Sequence, residues 1–189
     1  MHRVTPDHHL AVEERLFRAL NVDGGRLADA AAVALSSPWF GAIAGLSLAA
    51  ALWWRSRDGR APRLFALALA LALSDGVGSQ VVRPLLLRAR PVFALPPGSV
   101  RFIAPAADVG SVPSLHASNF FAMALVASWF WPSLWPVFYL VAAAVGWSRM
   151  YVGVHWPLDV AAGAVWGSFC AAVALGGARA LARRAGDRH

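Results

Sequence analysis

The sequence predicts an all-α integral membrane bundle of about five transmembrane helices, with an amphipathic helix at the membrane interface before them. Of the 189 residues, 58% are hydrophobic and the mean hydropathy is +0.54, both above the usual values for soluble domains. Only 14% of the residues are charged, and these crowd between long apolar runs. Most of the runs approach the roughly 20 residues that a helix needs to cross a bilayer core of about 30 Å.

The first element is a polar and interfacial segment at 1–30, which precedes a transmembrane domain at 31–189. Between residues 10 and 20, apolar side chains recur at helical spacing among Glu13, Glu14, Arg15 and Arg18. This pattern predicts a short helix that lies in the interface rather than crossing the bilayer. Three histidines before it favour a solvated tail over a metal site; they are His2, His8 and His9.

Five apolar runs follow and are predicted to span the membrane. They cover about 31–54, 64–82, 114–131, 137–152 and 157–175, and the third is slightly short. Arginines crowd the loop at 55–63 and the tail after 179, which places both in the cytoplasm by the positive-inside rule. The loops at 83–113 and 153–156 then face outward together.

The formal net charge of +7 comes from arginine alone, since the chain contains no lysine. A basic balance can indicate a nucleic-acid partner. Here the arginines lie at the ends of apolar runs, so anionic lipid headgroups and topology explain them better. We therefore expect membrane lipids as partners and no nucleic acid.

The last outward loop places Arg149, His155 and Asp159 beside the start of the fifth span. Pro157 suits the first position of a helix, because the N–H that it lacks would be unpaired there. Asp159 then follows His155 by four residues and can reach back to its ring. A carboxylate on one ring nitrogen fixes the tautomer and leaves the other nitrogen free for chemistry. Arg149 supplies a planar fork for an anion such as phosphate. Taken alone, a capped helix with a satisfied histidine explains the stretch about as well.

The 83–113 loop opens with Arg83, Arg88 and Arg90 and has no acid among them. Cations at a membrane surface need anionic partners, either lipid headgroups or a bound phosphate. For Arg88 simple interfacial anchoring is an equal alternative. The loop closes with Ser114 and His116 at a predicted helix N-terminus, where free N–H groups favour phosphate. His116 could protonate a leaving oxygen, and the alternative is a capping serine beside a buried neutral histidine.

Asp75 lies within the second predicted span, on one helical stripe with Ser79 and Arg83. One interpretation is that Asp75 tethers Arg83 through Ser79 or water. The other is a buried carboxyl group that bonds to neighbouring helices beside small residues. The sequence leaves both open.

Together these clusters resemble the three motifs of the phosphatidic acid phosphatase type 2 superfamily, which shares its site with vanadium haloperoxidases. The motifs read Lys-x6-Arg-Pro, Pro-Ser-Gly-His and Ser-Arg-x5-His-x3-Asp. They correspond to residues 83–91, 113–116 and 148–159. Two positions depart from the pattern, because Arg83 replaces the lysine and Leu115 replaces the glycine.

The resemblance implies catalysis without a metal or other cofactor. His155 would attack phosphorus, Asp159 would orient it, and His116 would protonate the leaving oxygen and then activate water. The phosphoryl oxygens would be held by positive charge and by hydrogen-bond donors; the implied set is Arg83, Arg90, Ser114, the Leu115 amide and Arg149.

The implied function is a lipid phosphate or diphosphate phosphatase of a bacterial inner or plasma membrane, with its site facing the periplasm or exterior. Undecaprenyl diphosphate is the leading substrate; phosphatidic acid, phosphatidylglycerol phosphate and lipid A are the alternatives. A haloperoxidase is disfavoured because this chain is predicted to span the membrane. A non-enzymatic lipid-binding or transport bundle is disfavoured by the complete His-His-Asp set.

Overall fold

A computed structural model describes residues 11–55, 60–105 and 110–186, and no β-strand occurs in those ranges. The all-α fold class is therefore confirmed. The three N-terminal histidines lie outside the described residues. The helices are α1 (Ala11–Leu20), α2 (Gly25–Leu35), α3 (Pro38–Trp54), α4 (Arg60–Leu71), α5 (Arg83–Leu86), α6 (Pro91–Ala94), α7 (Leu115–Phe130), α8 (Trp135–Tyr151) and α9 (Pro157–Gly186).

The structure differs from the prediction at the first span, which is bent rather than straight. Helices α2 and α3 meet at 58°. The chain restarts at Ser37, whose hydroxyl accepts a hydrogen bond from the Trp39 N–H at 3.2 Å, and Pro38 occupies the first helical position. A serine cap followed by proline is a typical helix start. The bend leaves Ser36 buried beside α8, where its hydroxyl lies 2.9 Å from the Ser148 hydroxyl.

The number of spans stays a prediction. By length and composition, the segments Arg60–Ala94 and Pro157–Arg183 can cross a membrane, and the bent α2–α3 pair adds a third if it counts as one span. Helices α7 and α8 contain 16 and 17 residues. Both are shorter than the roughly 20 residues of an upright span.

Helix α4 continues into a π-helical segment, Ala72–Val82, which leads directly into α5. Wide π-helical turns are rare and are frequently found at functional sites. This one carries Asp75 near its start and delivers Arg83 at its end.

The densest packing joins α7 to α9, and glycines on α9 make it possible. A Cβ atom placed on Gly163 would lie 2.5 Å from the Ser114 carbonyl oxygen, and one on Gly167 would overlap the Ser118 carbonyl. Small residues let helix backbones approach this closely in membrane proteins. The contact brings the Ser114 N–H to 2.9 Å from the Asp159 carbonyl oxygen.

The predicted N-terminal helix is confirmed as α1, but one face of it is covered by protein. Phe17 and Glu13 are buried, and the Phe17 ring packs on Trp156 with 5.3 Å between the ring centroids. Its interfacial position, and the division of the chain at residue 30, stay predictions.

We expect Gly167→Ala to destabilise the fold, because its methyl group would push α7 and α9 apart. Overpacking of this kind typically costs about 1–3 kcal/mol, so the midpoint of thermal unfolding in detergent should fall by several degrees. Gly176→Ala on the same helix is the matched control, since nothing lies within 4 Å of its added Cβ. An unchanged midpoint for Gly167→Ala would contradict the close helix contact.

Candidate active site

The three motif clusters meet around one cavity of about 460 Å³ at the end of the bundle. Six of the eight predicted site residues line this cavity, namely Arg83, Arg90, Leu115, His116, Arg149 and His155. The other two, Ser114 and Asp159, are fully buried. Part of the remaining wall is apolar and includes Leu71, Phe120 and Met123.

A tight turn after α8 presents His155 to the cavity. Gly153 has a φ of +87°, and a Cβ atom there would lie 2.6 Å from the Arg101 carbonyl oxygen, so glycine fits where other residues would be strained. The N–H groups of Val154 and His155 both donate to the Arg149 carbonyl oxygen, at 3.1 and 3.2 Å. The turn thereby fixes the backbone at Val154 and at the histidine itself.

The partners of the His155 ring assign its tautomer. Its Nε2 atom lies 3.0 Å from Nη1 of Arg90. A guanidinium group can only donate, so Nε2 must accept and carry the lone pair. The proton then resides on Nδ1, which faces Oδ2 of Asp159 at 3.4 Å, within ion-pair range but without a hydrogen bond between the two atoms. Burial lowers the pKa of His155 to about 3, although Asp159 opposes this shift. The ring therefore stays neutral and nucleophilic near pH 7.

Both carboxylate oxygens of Asp159 accept hydrogen bonds. Oδ2 accepts from the Ser111 hydroxyl and from the Trp156 N–H at 2.8 Å, and Oδ1 accepts from Nη1 of Arg88 at 2.7 Å. The motif spacing predicted the approach of Asp159 to His155. It missed Ser111 and Arg88 as partners of the carboxylate, because both come from the distant 83–113 loop and no local spacing identifies them.

Three arginines surround the cavity and are held by backbone carbonyl groups. Arg83 Nε donates to the Pro113 oxygen at 3.2 Å, Arg90 Nη1 to the Val154 oxygen at 3.1 Å, and Arg149 Nη1 to the Ser36 oxygen at 3.0 Å. None of these three forms a salt bridge within the described ranges. A carbonyl group orients a guanidinium without neutralising it, so the positive charge remains for an anion in the cavity.

Several buried donors at this site make no hydrogen bond to the part of the chain that the structure describes. They are Arg90 Nε, Arg149 Nε, the Ser114 hydroxyl and His155 Nδ1, which faces Asp159. Buried polar atoms in folded proteins are nearly always paired, so such a group calls for a functional explanation. Oxygen-rich anions such as phosphate supply the acceptors that Arg90, Arg149 and Ser114 lack.

The second motif lies at the start of α7. Ser114 is the N-cap residue and makes no side-chain capping bond, while Leu115 and His116 open the helix and line the cavity. Leu115 is 9% exposed and packs against Gly78, where an added Cβ would lie 2.7 Å from the leucine Cδ2. The leucine therefore narrows the cavity but leaves the N–H groups of the first turn in place.

Asp75 lies on the cavity wall rather than inside the bundle. It accepts a hydrogen bond from Asn119 Nδ2 at 3.0 Å, and the Ser79 hydroxyl bonds to the Gly76 carbonyl oxygen instead of to Asp75. The tether through Ser79 to Arg83 is not formed. The other interpretation was a buried carboxyl group bonded to a neighbouring helix. Asp75 does bond to a neighbouring helix through Asn119, but it is exposed rather than buried.

Within the described ranges, His, Cys, Asp and Glu side chains form no group of three or more that could hold a metal ion. Arg83, Arg90 and Arg149 bring positive charge to the cavity, and Asp75 adds one negative charge at its wall. The three arginines, the neutral His155 and the start of α7 form a set that is suited to binding and attacking a phosphoryl group.

The sequence model of the PAP2 superfamily matches residues 63–181. The Escherichia coli K12 protein YbjG, provisionally named an undecaprenyl-diphosphatase, is 37% identical over 122 residues, which are 64% of this chain and 59% of YbjG. A lipid A 4'-phosphatase of Bacteroides thetaiotaomicron is 31% identical over 109 residues, 55% of this chain and 48% of that protein. The chain thus spans about half to three fifths of the length of these relatives.

Among solved structures, the crystal structure of Aquifex aeolicus LpxE is similar to this chain, with a TM-score of 0.70 at 24% identity. The match covers 91% of this chain and 99% of the LpxE chain. That likeness concerns the fold alone.

Proposed function

Because the chain belongs to the PAP2 superfamily, we propose that it is a membrane phosphatase that hydrolyses a lipid phosphate or diphosphate through a phospho-histidine intermediate. One observation supports this most strongly. The lone pair of His155 Nε2 faces Arg90, in a cavity that Arg83 and Arg149 also line. A neutral nucleophile beside preorganised positive charge is what phosphoryl transfer requires.

In the proposed reaction, His155 Nε2 attacks phosphorus while the bond to the leaving oxygen breaks. His116 donates a proton to that oxygen, and the freed group departs as an alcohol or as a lipid monophosphate. The arginines hold the phosphoryl oxygens, and Asp159 holds the proton-bearing Nδ1 side of the ring. His116, now neutral, then takes a proton from water. That water attacks phosphorus, releases inorganic phosphate and restores His155.

Undecaprenyl diphosphate is the leading substrate, and the name of the E. coli relative supports it. The Bacteroides relative supports lipid A as the second candidate; phosphatidic acid and phosphatidylglycerol phosphate are further alternatives. The apolar cavity wall suits any substrate whose phosphate is attached to a hydrocarbon chain. We also propose that the cavity opens to the periplasm or cell exterior.

We expect the purified chain to release phosphate from lipid phosphates in excess EDTA, because arginines supply the charge that a metal would otherwise provide. The measurement compares phosphate release from undecaprenyl diphosphate, lipid A, phosphatidic acid and phosphatidylglycerol phosphate, with His155→Ala as the inactive control. Loss of activity in EDTA that magnesium or zinc restores would contradict the metal-free mechanism. Tight binding of the same lipids without turnover would favour a lipid-binding or transport bundle.

Orientation can be tested with cysteine variants in intact cells. Ser99→Cys lies in the 83–113 loop and Arg183→Cys near the end of α9, and both positions are exposed. A membrane-impermeant maleimide should label only Ser99→Cys from outside, while the buried native Cys170 stays unlabelled. Labelling of Arg183→Cys alone would place the cavity in the cytoplasm.

A further inference from the structure

A chain of alternating charges runs behind the candidate nucleophile, on the side away from the cavity. Arg88 donates through Nη1 to Asp159 at 2.7 Å and through Nη2 to Glu13 at 2.5 Å. The side chains of Arg88, Glu13 and Asp159 are only 12%, 3% and 0% exposed. The guanidinium therefore bridges two carboxylates away from bulk solvent.

Glu13 closes this chain into a ring. Its Oε1 atom accepts the N–H of Leu158 at 3.0 Å, one of the free donors at the start of α9. The neighbouring residue is Asp159 itself. Glu13 on α1 thus holds both the backbone next to the carboxylate and the cation that contacts it.

Aromatic packing supports the same arrangement. Phe17 of α1 packs on Trp156, and the Arg88 guanidinium lies 5.6 Å from the centre of that indole ring. The indole Nε1 donates to the Ala89 carbonyl oxygen at 3.0 Å. Helix α1 therefore contacts Arg88 and the Trp156–Leu158 turn behind His155, although it lies outside the three motifs.

We propose that Arg88 and Glu13 are positioning residues for the His155–Asp159 pair, and that α1 is a working part of the catalytic unit. The proposal rests on the proposed function for its kinetic consequences only. Arg88 is the sole donor to Asp159 Oδ1 among the described residues. Without it, a fully buried carboxylate loses its charged partner on that oxygen, and the carboxyl group would be driven to reorient or to take up a proton. Neither form would attract the proton on His155 Nδ1 as the nearby ionised carboxylate does, 3.4 Å away.

Glu13 balances the charge of Arg88. Without that second carboxylate, less of the positive charge of Arg88 would be neutralised, and Arg88 would weaken the electrostatic attraction of Asp159 for the His155 Nδ1 proton. The neutral isostere Glu13→Gln keeps the size of the side chain and an oxygen for the Leu158 N–H. It should therefore perturb the site less than Arg88→Gln does.

The experiment compares Arg88→Gln, Glu13→Gln and a matched control, Glu14→Gln, in the purified full-length chain. Glu14 is the next residue on α1; it is half-buried and forms an ion pair with the exposed Arg18. Outer partners of metal-ligating histidines typically change activity by about 10- to 100-fold when removed, and we expect the same range for a partner of the His155–Asp159 pair. We expect kcat to fall about 100-fold for Arg88→Gln and about 10-fold for Glu13→Gln, with KM within about twofold, and Glu14→Gln to match the wild type.

A second measurement does not depend on activity. Nitrogen-15 NMR of the histidine rings, with His155 assigned by a His155→Asn variant, should show His155 as the Nδ1–H tautomer in the wild type. Part of the population should shift to the Nε2–H form in Arg88→Gln. If the wild type is inactive and the tautomer still shifts in Arg88→Gln, the proposed function would be wrong but the positioning role would stand.

The following results would overturn the proposal. A folded Arg88→Gln with wild-type kcat and an unchanged His155 tautomer would leave only a structural role for Arg88, whether or not its unfolding midpoint falls. If Arg88→Gln does not fold, Glu13→Gln decides, and wild-type kcat with an unchanged tautomer in that variant would be equally fatal.

Discussion

The site depends on the close contact of α7 with α9 at Gly163 and Gly167, where an added Cβ atom has no room. This contact brings the start of one helix beside the start of the other, and the Ser114 N–H bonds to the Asp159 carbonyl oxygen. The proposed phosphate-binding turn of α7 and the carboxylate of Asp159, which faces His155, therefore share one junction. The 83–113 loop and α8 place the arginines around that junction.

Charge is distributed unevenly around His155. On the cavity side, Arg83, Arg90 and Arg149 are held by carbonyl groups and form no salt bridge among the described residues. On the far side, Arg88 lies between two carboxylates. Burying an unpaired charge costs several kcal/mol. The arginines without a carboxylate partner are thus the ones that line the cavity, where a bound phosphoryl group would offset the free-energy cost of burying their charge. Arg88, by contrast, is paired within the protein.

Much of the site could be predicted from the sequence, because its chemistry lies in short motifs with fixed internal spacing. The convergence of the motif clusters followed from the order of the apolar runs and the charges between them. The bend between α2 and α3 and the exposure of Asp75 could not be predicted, because they depend on packing between distant helices. From the sequence, Glu13 was predicted only to be one of several charges on an amphipathic helix. Its partners, Arg88 and the Leu158 N–H, are separated from it by 75 and 145 residues.

The most direct test of the account is rapid-quench mass spectrometry of His116→Ala during turnover of p-nitrophenyl phosphate. A good leaving group needs little help from an acid, whereas the second step still lacks its base. General acid–base catalysis typically contributes about 100- to 10,000-fold, so phosphate should accumulate on the Nε2 atom of His155. The adduct should be absent from the His155→Ala variant. Phosphate on another residue, or turnover by His155→Ala, would contradict the assignment of His155 as the nucleophile.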